Sequence, residues 1–102
     1  MIEIIVKKDT ITVLGHANAS SYGQDIVCAS VSSIIYTTVN GIFNIDKSAI
    51  EFIDEKELLK ITIMNHSTVV DILIENMIVL LEQLELEYPK SIKIKKEIKK
   101  TW

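Results

Sequence analysis

Near the start of the chain Ile2, Ile4 and Val6 alternate with other residues, Lys7-Lys8-Asp9-Thr10 interrupts, and Ile11, Val13 and Leu14 resume. Apolar residues at a period of two mark half-buried strands, so this stretch predicts a β-hairpin. From Gly15 to Gln24 the sequence turns small and polar, with Asn18, Ser20 and Ser21 inside it, a composition suited to a loop. The period then changes. Asp25 is a good N-cap, and Val27, Val31, Ile34, Ile35, Thr38 and Ile42 at helical spacing predict a buried helix from Ile26 to about Phe43, with Asn40-Gly41 near its end.

Ala49 to Asp54 and Leu58 to Met64 read as two more strands joined by the charged turn Asp54-Glu55-Lys56-Glu57. Ser67 or Thr68 caps a second helix that runs to about Glu87, where Tyr88-Pro89 stops it, because proline disfavours a helical residue before it. Val70, Leu73, Ile74, Met77, Leu80, Leu81 and Leu84 form its main apolar stripe, while Glu82, Glu85 and Glu87 read as an exposed helix face. Ile72, Val79 and Leu86 recur every seven residues on another side, for which the first helix is the expected cover and a second subunit the alternative. Ile92 and Ile94, extended by Lys96 and Ile98, alternate with lysines as a last strand whose charges would guard an exposed edge.

The order ββαββαβ predicts an α/β fold, a two-layer sandwich with one mainly antiparallel or mixed sheet covered on a face by two helices. With 102 residues, 48% of them hydrophobic, the chain has room for one core and reads as a single domain over residues 1–102. Its start lacks the basic, apolar and small-residue segments of a secretion signal. The apolar stretches around Ile34 and Val79 read as interrupted before the roughly 18 to 20 residues of a membrane span, so no membrane association is expected.

Charge is uneven: from Lys90 onward six lysines oppose one glutamate, so residues 1–89 carry −8 of a net −3. An acidic body argues against nucleic acid as a partner, since that binding uses lysine or arginine to neutralise phosphates. It suits a basic protein partner. Cys28 is the only cysteine, which excludes an intramolecular disulfide and makes the reducing cytoplasm the natural setting.

The stretch from Gly15-His16 to Cys28 carries the candidate chemistry. A thiol attacks as thiolate and needs a base, a cation or a helix N-terminus to reach that state near neutrality. His16 ends the second strand, and the loop after it is long enough to return the imidazole to the sulfur of Cys28. With Asp25 as cap, Cys28 would lie in the first helical turn, whose unpaired amides favour negative charge and could hold an oxyanion. Asp25 itself reads equally as a cap or as a carboxylate that orients the imidazole. Ser32, four residues past Cys28, shares its helix face. His66 is a competing base but reads better as a surface or capping residue. One cysteine and two histidines are too few for a zinc site unless carboxylates join them, so neither metal nor cofactor is expected.

Gly15-His16-Ala17, Gly23, Asp25-Ile26-Val27-Cys28-Ala29 and Ser32 resemble the signature of the ribosomal-processing cysteine protease family of bacteria (Prp, YsxB-like), and the order of elements is similar over nearly the whole chain. The resemblance implies a site-specific endopeptidase that removes the N-terminal extension of a large-subunit ribosomal protein of the L-twenty-seven family, with that precursor as partner. It implies His16 as general base, Cys28 as nucleophile, Asp25 and Ser32 in support, and Gly15, Ala17, Tyr22 and Gly23 around a substrate loop from Ala17 to Gln24. It also implies a homodimer. Asn18 and Ser30 depart from the glycine and alanine common at those places in the family. The rivals are a noncatalytic ribosome-associated interaction module with a structural cysteine, and a thiol redox sensor.

Overall fold

A computed structural model describes residues 1–15 and 22–97, with residues 22–25 described by backbone alone. Seven elements follow in the order β1 (Ile2–Val6), β2 (Thr10–Leu14), α1 (Tyr22–Ile45), β3 (Ile50–Glu55), β4 (Leu58–Ile63), α2 (Thr68–Glu87) and β5 (Ile92–Lys96). The sheet order is β3-β4-β2-β1-β5, antiparallel throughout except that β5 runs parallel to β1. The result is the expected two-layer sandwich, with a mixed sheet.

Register explains the layering. Ile4 faces Val13, Val6 faces Ile11, Ile11 faces Ile61, Val13 faces Leu59 and Ile2 faces Ile92, so the apolar positions of four strands share one side. All of these are buried. Glu3, Glu51 and Lys93 occupy the opposite phase and stay exposed, so one face of the sheet is left uncovered by the helices. Onto the apolar face α1 lays Val27, Val31, Ile35, Val39 and Ile42, and α2 lays Val70, Ile74, Met77 and Leu81, all buried in one cluster. Each such aliphatic side chain contributes about 1.5–3 kcal/mol by leaving water.

The segment Ile26–Ile45 of α1 is long and apolar enough, by length and composition, to cross a membrane. The sequence reading that polar residues interrupt it too early therefore fails. Its buried stripe nevertheless makes it a core helix of this sandwich.

The helix ends are set by local chemistry. Ser67 caps α2, its Oγ accepting from the Val70 amide at 3.2 Å. The α1 helix runs through Asn40-Gly41 for a further turn to Ile45. It stops where the Asp46 carboxylate accepts from the amide and the hydroxyl of Ser48 at 2.9 and 2.7 Å, bonds that hold this carboxyl below the usual carboxylate range.

Two expectations about α2 need correction. Glu82 and Glu85 do not belong to a plain solvated face: Glu85 accepts from the Ile94 amide at 2.8 Å and Glu82 pairs with Lys96 at 2.8 Å. The last strand is thus protected by the helix as well as by its lysines. Nor does α1 cover the seven-residue stripe, because Ile72, Val79 and Leu86 are 60%, 43% and 82% exposed. The reason is geometric: α2 presents Val70, Ile74, Met77 and Leu81 to the core, and a stripe on another side of the same cylinder cannot reach it.

Candidate active site

β2 ends at Leu14, and Gly15 follows with φ +81°. A Cβ on Gly15 would lie 2.6 Å from the Met1 carbonyl oxygen, so the backbone of the β2 exit passes against the chain's first residue in a space only glycine fills. His16 and Ala17 come directly after it and lie outside the described residues, as does the part of the expected substrate loop up to Ser21. Ile98, the expected extension of the last strand, lies outside them too.

The start of α1 differs from the sequence reading. Tyr22, Gly23 and Gln24 are helical, so the loop does not extend to Gln24 and Asp25 is the fourth helical residue instead of the cap. An aspartate is favoured both as a cap and anywhere in a first turn, where it offsets the helix dipole, so the residue alone does not fix the boundary. Cys28 consequently sits in the second turn. The unpaired amides belong to residues 22–25, and the dipole effect fades beyond the first turn, so the expected oxyanion cradle and thiolate stabilisation from first-turn amides at Cys28 are not carried by this geometry.

Cys28 is half-buried and packs against the hydrophobic cluster. It lies on the flank of α1 next to the buried stripe, followed at intervals of four by half-buried Ser32 and by Tyr36. Tyr36 donates its hydroxyl hydrogen to Asp54 Oδ1 at 3.0 Å, and its ring meets Phe52 edge-on at 5.8 Å and 87°. Partial burial, then the Asp54 hydrogen bond and charge, then the charge of Cys28 push the phenol above its ordinary range. Sequence reasoning missed Tyr36, although its spacing from Cys28 was a usable signal. Nothing local could have supplied Asp54, 18 residues away on β3. Ser30 donates back to the Ile26 carbonyl at 2.9 Å, so its hydroxyl is engaged on the helix itself.

His66 belongs elsewhere. Its Nε2 lies 2.7 Å from Asp9 and its Nδ1 2.6 Å from Asp71, tying the β1–β2 turn to the start of α2. That turn is at the far end of β2 from Gly15, about 20 Å away at strand rise. A groove of about 590 Å³ is lined by His66 itself with Val6, Ile11, Ile63, Ile74 and Glu75; among the described residues, neither Cys28 nor Ser32 lines it.

The two carboxylates raise the His66 pKa, chiefly through the hydrogen bonds to Asp9 and then Asp71. Its stabilising contribution is complete below the unfolded value near 6.5 and is lost as pH rises through the higher folded value. Because the imidazole is 39% exposed, the gain is held to about 0.5–1 kcal/mol. His66→Gln is expected to lower the midpoint of urea unfolding at pH 5.5 and to leave it nearly unchanged at pH 9. Among the described residues no group of three or more His, Cys, Asp or Glu is placed to hold a metal ion.

With this sandwich, the chain is by its family a small cysteine protease. The model of the cysteine protease Prp family matches residues 1–93, and the chain belongs to that family. It is 29% identical over 83 residues to the ribosomal processing cysteine protease Prp of Staphylococcus aureus, spanning 78% of each chain. The same fold occurs in the S. aureus protease Prp crystallised with a covalently linked product peptide, at TM-score 0.84 and 23% identity over 95% of this chain and 100% of that one. SMU.848 from Streptococcus mutans shares it at TM-score 0.82 and 22% identity, over 96% and 93% of the two chains.

Proposed function

We propose that the protein is a site-specific endopeptidase that removes the N-terminal extension of a large-subunit ribosomal protein of the L-twenty-seven family, with Cys28 as nucleophile and His16 as general base. One observation carries the assignment of the nucleophile: a member of a cysteine protease family needs a reactive thiol, and this sequence holds a single cysteine. His16 directly follows Gly15, the residue after β2, in the Gly-His-Ala setting of the family signature. The ribosomal substrate is supported by the relatives named as ribosomal processing proteases. The acidic body complements a basic ribosomal protein.

The imidazole of His16 takes the thiol proton, and the thiolate attacks the scissile carbonyl carbon. The resulting oxyanion collapses, the C–N bond breaks, and His16 gives its proton to the leaving amine. Water, deprotonated by His16, then attacks the thioester, releasing the carboxylate product and restoring the thiol. Since Cys28 lies one turn past the amide-rich helix end, activation rests on the imidazole more than on the helix. Asp25, in the first turn, and Ser32, on the Cys28 face, are supporting groups.

The chain acts in the cytoplasm, where a reduced thiol persists. It does so as a homodimer, for which the exposed stripe Ile72, Val79 and Leu86, with Val69 at 49% and Leu80 at 40%, provides an apolar surface on one helix. Ile72→Lys combined with Leu86→Lys is expected to shift the sedimentation coefficient from dimer to monomer with the fold retained.

The function is tested by incubating reduced protein with the organism's own ribosomal precursor and weighing the products by mass spectrometry. Loss of an N-terminal peptide is expected, and a precursor left intact after prolonged incubation would refute the reading.

A further inference from the structure

Cys28, Ser32 and Tyr36 descend one flank of α1, the flank that overhangs β3 at the edge of the sheet. Tyr36 is anchored from two sides by β3, through Asp54 at the hydroxyl and Phe52 at the ring edge. Its polar tip is therefore satisfied, yet the residue is still 39% exposed. Ring surface held rigid and left in water is suited to contact with a ligand, because the entropy of fixing the side chain has already been lost in folding. A shallow depression lined by Tyr36, Thr37, Asn40 and Phe43 continues along the same helix.

Spacing gives the register. Eight residues of helix advance about 12 Å, and long helical side chains lean back toward the N-terminus by up to a turn. Cys28 leans the same way, so ring and thiol lie at most about 12 Å apart along the axis, up to about four residues of an extended peptide at strand rise. On the reading of Cys28 as nucleophile, we propose that Tyr36 is a specificity-determining contact of this protease, its ring packing against an apolar side chain of the substrate within about four residues of the scissile bond. Asp54 and Phe52 position that ring and do not touch the peptide.

The test uses a synthetic peptide covering the precursor's N-terminal extension and several residues beyond it. Tyr36→Ala is expected to lower kcat/KM by 10- to 100-fold, mostly through KM, while iodoacetamide labels Cys28 within twofold of the parent rate. In a Cys28→Ala background, which binds without cleaving, the same change is expected to weaken peptide binding at least tenfold. Tyr36→Phe, which keeps the ring and its Phe52 contact, is expected to fall between the two, and it guards against a fold defect in the alanine variant. Tyr36→Ala with an unchanged KM and unchanged peptide binding would overturn the proposal alone. Cleavage surviving in Cys28→Ala would instead overturn the nucleophile assignment beneath it.

Discussion

Replacing Cys28 by alanine is expected to reduce cleavage of the precursor by about 10⁴-fold or more, to the level that binding alone supplies. His16→Ala is expected to do nearly the same, and the double variant no worse than either single one, because in the proposed mechanism nucleophile and base act as a unit. Thiol titration separates this from a general loss of structure. In the parent, the proposed mechanism has a His16 imidazolium stabilise the thiolate, so iodoacetamide labelling of Cys28 should persist well below the ordinary thiol pKa of about 8.5. In His16→Ala the labelling profile should return to that ordinary inflection. The helix cannot substitute for the imidazole here, because α1 begins at Tyr22 and its unpaired amides end at residue 25, a turn short of Cys28. A parent protein whose Cys28 titrates like a free thiol would leave no chemistry for the proposed cleavage.

Where alternation or helical spacing was complete, the elements were legible in the residues. Ile2, Ile4 and Val6 against Ile11 and Val13 announced the first hairpin, and Ser67 the start of α2. The beginning of α1 was not legible, because Tyr22, Gly23 and Gln24 add a helical turn with no apolar stripe to betray it, and Asp25 suits either place. Strand order was equally hidden: alternation says which side chains share a face, while the parallel seating of β5 beside β1 depends on how α2 crosses the sheet. The same limit applies to the site. The proposed pair His16 and Cys28 is read from residue type and motif, whereas Tyr36 with Asp54, and Glu85 with the Ile94 amide, are contacts across space between residues that look like ordinary exposed polar groups along the chain.

The junction between fold and chemistry is Gly15, and Gly15→Ala is expected to damage both. A side chain there meets two penalties at once. The φ of +81° is strained for any residue with a Cβ, at about 1–2 kcal/mol, and that Cβ would stand 2.6 Å from the Met1 carbonyl, a backbone atom that cannot swing aside. Relief requires either the first residue to leave the Ile2 end of β1 or the exit of β2 to turn differently. The first option threatens the end of β1, where the Ile2 amide donates to the Ser91 carbonyl at 2.8 Å. The second displaces the residue directly following, which is His16. A displacement of about 1 Å in a catalytic group is enough to cost about 10²-fold in rate. The expected result is a loss of about 2–3 kcal/mol in urea unfolding, together with a fall of about 100-fold in kcat at temperatures where the variant is still folded. Gly41→Ala is the control, because that glycine lies within α1 with nothing within 4 Å of its added Cβ. Alanine should there be neutral to stabilising, with cleavage unchanged. Equal behaviour of the two variants would show that the close approach at the β2 exit does not govern the placement of the base.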